Sequence, residues 1–371
     1  MSDGWVNVFD AQREAERKLE PGARGYFSGG AGDEVTLRDN VAAWRDWRLR
    51  PRQLTGVEEV STAVEVLGAP VAAPVLIAPV AYQRLLDPEG EVAMARAAAT
   101  AGTVMCLSTL ANTRPADVAA AAPGGRRWFQ LYPFRDAGVT RALMAEAVDA
   151  GFEAVVITVD APPGGNRERD VRSGFTLPAE VEIPSVAAAL GGSRTVTVEE
   201  TFELMSRSLT WEDLGAIAAD AGVPLLVKGL LTAEDAKLAI EYGAAGVIVS
   251  NHGGRQLDRA VTTAEALPEI VDAVAGRAGV LVDGGIRRGT DVAIALALGA
   301  DAVLVGRPTA WGLAAAGSAG AERVLAILAA ELELTLALLG VATPAELRPG
   351  HLRSRLPTRV YSEAEVSDTS F

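Results

Sequence analysis

Short apolar, β-branched runs alternate with alanine-rich amphipathic runs along most of the chain. The apolar runs fall at 74–79 (PVLIAP), 103–108 (TVMCLS), 127–132 (RWFQLY) and 154–160 (AVVITVD). They continue at 224–229 (PLLVKG), 246–251 (GVIVSN), 280–285 (VLVDGG) and 302–307 (AVLVGR). Each run is continuous rather than alternating, the pattern of a strand covered on both faces in a parallel sheet. Between them GEVAMARAAATA, GVTRALMAEAVDA, TAEDAKLAIEYG and GTDVAIALALGA repeat at helical spacing. Eight strand–helix units in series predict an α/β fold, a closed (β/α)8 barrel of the TIM type. A doubly wound open sheet is the alternative. It lacks support, because no G-x-G-x-x-G follows the first strand and no G-x-x-x-x-G-K-[ST] occurs.

Two regions fall outside the repeat. Residues 1–70 read as helices and loops that cap the barrel. Residues 161–208, after the fourth strand, are rich in Pro, Gly and charge and read as a long loop over the barrel mouth. The polar tail, 343–371, is expected to wrap or fray, and nothing in 1–371 suggests a second core. The most apolar stretch, 324–342, contains Glu331 and Glu333. It predicts a buried or half-buried helix, since a membrane span needs about 20 nearly uncharged residues.

Composition narrows the partners. A formal charge of −14 disfavours nucleic acid, whose phosphates are bound by basic surfaces. Cys106 is the only cysteine, and His252 and His351 are the only histidines. That rules out an intrachain disulfide, favours an intracellular setting and leaves too few soft ligands for a zinc site. The N-terminal residues carry charge throughout and lack the apolar core of a signal peptide, so a cytoplasmic protein is expected.

Candidate chemistry gathers where the strands end. Ser108, Gln130, Tyr132, Thr158, Asp160, Lys228, Ser250, Asn251, His252, Asp283 and Arg307 all stand at or just beyond a predicted strand. One such residue reads as a solvated charge or a loop cap. Six or more on neighbouring strands of one parallel barrel converge on a single mouth, which is where such barrels carry their sites. An imidazole there suits proton removal near neutral pH, its alternative being a structural histidine.

The segment SNHGGRQ (250–256) resembles the active-site signature of the FMN-dependent 2-hydroxy-acid oxidases and dehydrogenases. Glycolate oxidase, lactate oxidase and mandelate dehydrogenase belong to that family. YFSGGAGDEVTLRDN, LRPRQLTGV, IAPVA, DPEGE, FQLY, ITVDAP, VKGLLTAEDA and DGGIRRGTDVAIALALGADAVLVGRP follow in family order. The resemblance implies oxidation of a small (S)-2-hydroxy acid to the 2-oxo acid, with FMN as cofactor and oxygen or another electron acceptor. It implies His252 as base, Asp160 as the carboxylate orienting it, and Arg255 as a bidentate clamp on the substrate carboxylate. Tyr26 and Tyr132 match the family tyrosines near the substrate, and Arg167 would add a carboxylate contact. For FMN it implies Lys228 at the N1/C2 carbonyl edge. The backbone of Pro79, Val80 and Ala81, with Ser108, Gln130, Thr158 and Ser250, would meet the ring edge and ribityl chain. Asp283, Gly284, Gly285, Arg287, Gly306 and Arg307 would form the phosphate corner after the last two strands.

Departures from the family pattern bear on specificity. Glycolate oxidases carry a tryptophan where this chain has Leu110, which predicts a roomier pocket. GGAG and APVAYQRL are similar to the hydroxymandelate oxidase branch, which suggests a medium-to-large or aromatic substrate such as mandelate. Asn166 replaces the first of two usual arginines, and Asp87 stands where many relatives have histidine. Membrane-bound members have a hydrophobic patch in the insertion. Here Glu180, Glu182, Glu199, Glu200 and Glu203 disfavour membrane attachment. No cytochrome-like segment precedes the barrel pattern, so no fused haem partner is expected, and the family implies a homotetramer. A dehydrogenase or monooxygenase of the same family, an isomerase on a different FMN barrel, and a non-catalytic flavin binder are the competing readings.

Overall fold

The computed structural model describes residues 4–161, 163–178, 181–192 and 196–355. Three helices open the chain: α1 (Val8–Lys18), α2 (Pro21–Ser28) and α3 (Val35–Ala43). Strand β1 (Trp47–Leu49) and a hairpin of β2 (Val64–Val66) and β3 (Ala69–Val71) follow. Then come β4 (Val75–Ile77), α4 (Gly90–Thr100), β5 (Val104–Ser108), α5 (Pro115–Ala121), β6 (Arg126–Leu131), α6 (Ala137–Asp149) and β7 (Ala154–Thr158). The insertion holds α7 (Glu168–Ser173), α8 (Pro184–Ala189) and α9 (Val198–Leu204). The repeat resumes with α10 (Trp211–Asp220), β8 (Leu225–Leu230), α11 (Ala233–Glu241), β9 (Gly246–Val249), α12 (Thr263–Val274), β10 (Gly279–Val282), α13 (Gly289–Ala297), β11 (Ala302–Val305) and α14 (Arg307–Leu339). Strands β4 to β11 pair in parallel and close on one another, β11 against β4. All eight expected strands are present and the open sheet is excluded.

The sequence runs are apolar throughout because each strand is covered twice. Leu76, Cys106, Trp128, Val156, Leu226, Ile248, Leu281 and Leu304 fill the barrel interior, while their neighbours pack outward on the helices. The β2–β3 hairpin, in a region expected to hold only helices and loops, sends Val66 and Val71 into that interior cluster. The Arg126 guanidinium fastens it through the carbonyls of Val66, Ala69 and Pro70. The N-terminal end of the barrel is thereby plugged, and the C-terminal end is left for chemistry.

Three further expectations are refined. The insertion is not all loop: Thr197 and Glu200 form a reciprocal capping box that starts α9, a short-range device easily lost among loop residues. The tail does not fray at once, because β12 (Leu352–Ser354) pairs antiparallel with β1. Residues beyond 355, and Glu180, lie outside the described residues. The apolar stretch near the C-terminus is the second limb of α14, which breaks at Ala316 and Gly317. Gly312 and Gly320 let the two limbs touch backbone to backbone, since a Cβ on Gly312 would lie 2.5 Å from the Gly320 carbonyl. Leu334 and Leu338 stay exposed, so this limb is half-buried. Among the described residues no helix is long and apolar enough to cross a membrane.

Candidate active site

The chain leaves β9 through Ser250 and Asn251 into a run of left-handed residues, His252, Gly253 and Gly254, with φ of 57°, 64° and 75°. This turn folds the loop back over the barrel mouth. A Cβ on Gly254 would lie 2.6 Å from the Leu37 amide nitrogen, so α3 reaches the loop only because a glycine is there. His252 carries a side chain in a conformation that costs about 1–3 kcal/mol, the kind of strain that collects at functional sites. Its amide is held by the Ser250 hydroxyl at 3.1 Å. Asn251 serves the scaffold: it exchanges two 2.8 Å hydrogen bonds with Asn40 of α3.

Asp160 meets this loop from the end of β7, its Oδ1 2.9 Å from His252 Nδ1. Strand β8 bulges between Lys228 and Leu230 to admit it. Gly229, at φ 110°, sits in that bulge, and a Cβ there would come within 2.7 Å of the Asp160 carboxyl carbon. Burial draws the His252 pKa below its ordinary 6.5, with Lys228 and Arg167 adding to the effect and Asp160 opposing it. Burial pushes Asp160 upward, but the facing imidazole and Lys228 more than offset it, so the carboxyl stays ionised. With Nδ1 committed to Asp160, the neutral ring offers Nε2 as a base.

Behind the histidine lies a buried ionic cluster. Lys228, 4% exposed, places Nζ 2.7 Å from Ser250 Oγ and 3.0 Å from Asp283 Oδ2. The Ser250 hydroxyl donates in turn to Asp283 Oδ1 at 2.7 Å. Burial alone would lower the Lys228 pKa, yet Asp283 and Asp160 raise it, so the ammonium stays charged. Ser250 is fully buried and touches the cavity through Lys228, Asp283 and His252.

Arginines supply the remaining charge. Arg255 lies over the Tyr26 ring at 4.7 Å, with its guanidinium on the carbonyls of Tyr26 and Gly29. Burial, then the like charge of Arg167, pushes its pKa down to about 10. Arg167 approaches the same ring at 5.8 Å, and its Nε is buried without a partner. Two cations thus crowd around one tyrosine, offset in part by the Asp170 carboxyl, and they suit a further anion. Arg287, stacked 5.0 Å over Trp311, is pushed down to about 10 by burial. Arg307 links the cap to the barrel through the carbonyls of Phe27, Gly29 and Gly253 at 3.2, 2.7 and 2.9 Å. Burial, Arg255 and Arg287 lower its pKa, and the Glu34 and Asp283 carboxylates only partly oppose them.

These groups surround a cavity of about 1120 Å³ at the C-terminal mouth, open to solvent. It is lined by every residue expected at the site except Asp160, Ser250 and Asn251, which stand one layer behind. Leu110, Pro79, Val80, Ala81, Ser108, Tyr132, Thr158, Gly284, Gly285 and Gly306 all reach it. Sequence reading missed Phe202 of α9 and gave Gln256 no role, though both line the cavity. It also missed Tyr82, whose backbone is left-handed at φ 58° and whose buried ring lies 5.9 Å from that of Tyr26. Gln256 sits in SNHGGRQ and Tyr82 in APVAYQRL, but neither motif marks the part its residue plays. Tyr82 and Phe202 look in sequence like ordinary core aromatics.

Residues 15–354 match the FMN-dependent dehydrogenase family. The chain belongs to it. It is 45% identical to the L-lactate oxidase of Nostoc sp. over 344 residues, 90% of this chain and 94% of that one. It is 42% identical to glycolate oxidase 3 of Arabidopsis thaliana over 366 residues, 97% and 99% of the two chains. A crystal structure of mandelate oxidase superposes with a TM-score of 0.88 at 43% identity, covering 95% of this chain and 99% of that one. The resemblance carried by SNHGGRQ is therefore borne out for family, fold and cofactor, and this family member is an FMN-dependent oxidoreductase.

The residues present suit FMN. Gln130 Nε2 and Thr158 Oγ1 are buried without partners at the ends of β6 and β7, in residues that line the cavity. Orphaned polar atoms of this kind cost about 1–3 kcal/mol each unless a ligand satisfies them, and a flavin's polar edge does so. The buried Lys228 suits a carbonyl edge that gains electrons, and Arg287 and Arg307, beyond β10 and β11, suit a phosphate.

Proposed function

We propose that this protein oxidises (S)-2-hydroxy acids with a medium-to-large or aromatic side chain, mandelate being the type, to 2-oxo acids, with oxygen as the final acceptor. The observation that carries the proposal is the His252–Asp160 pair facing the same cavity as Arg255 and Arg167. A base poised on one side of a carboxylate site is what oxidation beside a carboxylate requires.

In this reading Arg255 and Arg167 hold the substrate carboxylate, and Tyr26, ringed by both, adds its hydroxyl. Tyr132 stays protonated, because burial and the nearby Asp160 raise its pKa, and it hydrogen-bonds the substrate hydroxyl. His252 Nε2 takes a proton from the hydroxyl or from the α-carbon, and Asp160 stabilises the imidazolium so formed. Lys228, Gln130, Thr158, Arg287 and Arg307 would hold FMN, which would supply the acceptor for the electron pair leaving the substrate's α-carbon. Leu110, Ala81 and Phe202 leave an apolar side for the substrate's own side chain.

The named relatives, an L-lactate oxidase, a glycolate oxidase and mandelate oxidase, bracket the substrate class and favour oxygen as acceptor. The test is anaerobic mixing of the FMN-loaded protein with glycolate, lactate and (S)-mandelate while flavin absorbance is followed. Oxygen is then readmitted and peroxide assayed. Bleaching fastest with mandelate, followed by stoichiometric peroxide, is expected. Bleaching with no reoxidation by oxygen would make the protein a dehydrogenase. No bleaching by any hydroxy acid would end the proposal.

A further inference from the structure

Between Asp160 and the start of α7 the described residues belong to no helix or strand. This short segment nevertheless carries Asp160 at one end and Arg167 at the other, and its peptide groups need partners. One side chain supplies four. Gln256 Nε2 donates to the carbonyls of Asp160, Ala161 and Pro163 at 2.5, 3.0 and 3.2 Å. Its Oε1 accepts the Gly165 amide at 3.1 Å. An amide –NH2 has two hydrogens, so the three carbonyls share them.

The backbones also touch. A Cβ on Gly165 would lie 2.3 Å from the Arg255 carbonyl oxygen and 2.7 Å from Gln256 Cα. The root of the insertion thus rests directly on the peptide that follows the carboxylate clamp. Gln256 is joined through the chain to His252 and Arg255, and through hydrogen bonds to the segment bearing Asp160 and Arg167.

We propose that Gln256 is a positioning residue: it latches the root of the insertion to the β9 loop and thereby sets Asp160 against His252 and Arg167 beside Arg255. This rests on reading the cavity as a hydroxy-acid site. The latch acts through donors, so shape alone does not replace it. Gln256→Glu keeps the length and the acceptor but turns a carboxylate toward three carbonyl oxygens.

The experiment uses the FMN-loaded protein and its Gln256→Ala, Gln256→Glu and Gly165→Ala variants. Anaerobic stopped-flow with (S)-mandelate gives the limiting rate of flavin bleaching and the apparent substrate affinity. Hydrogen exchange over 160–167 reads the latch without turnover. All three variants are expected to exchange faster there. Their bleaching efficiency is expected to fall on the order of ten- to a hundredfold, as for a misplaced catalytic group, with Gln256→Glu at least as impaired as Gln256→Ala. Wild-type rate and affinity in Gln256→Ala, whatever its melting temperature, would overturn the proposal. So would unchanged exchange over 160–167. A wild-type flavin that no hydroxy acid bleaches would sink the functional reading, while exchange would still decide the latch.

Discussion

Asp160 and His252 are 92 positions apart in the chain and 2.9 Å apart in space. The pair fixes the imidazole with Nδ1 toward the carboxylate and Nε2 toward the cavity, and stabilises the ring once it is charged. Replacing His252 by Asn removes the proposed base while Lys228, Gln130 and Thr158, proposed to hold FMN, remain. Bleaching by (S)-mandelate should slow about 10²–10⁴-fold with the protein still yellow. Asp160→Asn should fall in the same range, since the ring loses the charge that steadies its protonated form. A near-normal bleaching rate in either variant would contradict the assignment.

The pH dependence follows from the same pair. Burial, Lys228 and Arg167 lower the His252 pKa and Asp160 raises it, with a net shift below 6.5. In the proposed mechanism the neutral ring is the active form, so kcat/KM should rise with pH through a midpoint below 6.5 and stay level through neutrality. Removing the Asp160 charge takes away the raising influence, so the midpoint in Asp160→Asn should move lower still. Initial rates at subsaturating mandelate across pH 4.5–8.5 (about two units either side of an ordinary imidazole) check this. A midpoint above 6.5 would show that the ring is not desolvated in the working enzyme.

The barrel was legible in the sequence because a doubly covered strand must be apolar along its whole length, and eight such runs have few other arrangements. The strand-end residues were legible for a related reason: Lys228, Asp160 and His252 are polar where the pattern demands apolar neighbours. The β2–β3 hairpin was not, since its three-residue strands carry too little periodicity to stand out. Nor was the work of Ser250, whose hydroxyl bonds to Lys228, Asp283 and the His252 amide. Lys228 and Asp283 come from other strands, and spacing along the chain does not encode them. Tyr82 stayed hidden because a left-handed backbone leaves no mark on a tyrosine.

Leu110 is buried at the cavity wall, where glycolate oxidases have tryptophan. Leu110→Trp adds an indole on the side left for the substrate. The ratio of kcat/KM for mandelate to that for glycolate should fall by about 10-fold or more, a discrimination typical of filling an apolar pocket. Steady-state peroxide assays on both acids measure it. An unchanged ratio would place the substrate's side chain against another wall.

Lys228 is proposed to face the flavin carbonyl edge, where its charge favours the reduced ring. Lys228→Met keeps the length and removes the charge. The midpoint potential of bound FMN should become more negative by tens of millivolts, about 30 mV for each 1.4 kcal/mol of lost stabilisation. Spectroelectrochemical titration reads it directly. The substitution also leaves Asp283 buried without its cation, so the melting temperature should fall as well. An unshifted potential would move Lys228 away from the flavin and leave it a structural partner of Asp283.

Gly229 offers a test that touches no reacting group. It lies between Lys228 and Leu230 in the β8 bulge, at φ 110°, a conformation that side chains rarely adopt. An added methyl would also sit 2.7 Å from the Asp160 carboxyl carbon and 2.8 Å from its Cβ, well inside contact distance. Gly229→Ala must therefore flatten the bulge or push Asp160 off His252. Either outcome weakens the 2.9 Å bond on which the base depends. Bleaching by mandelate should fall toward the level of Asp160→Asn, and the two substitutions combined should be little worse than either alone, because both act on one interaction. Fully additive losses would mean that the glycine serves the barrel's stability and not the position of the carboxylate.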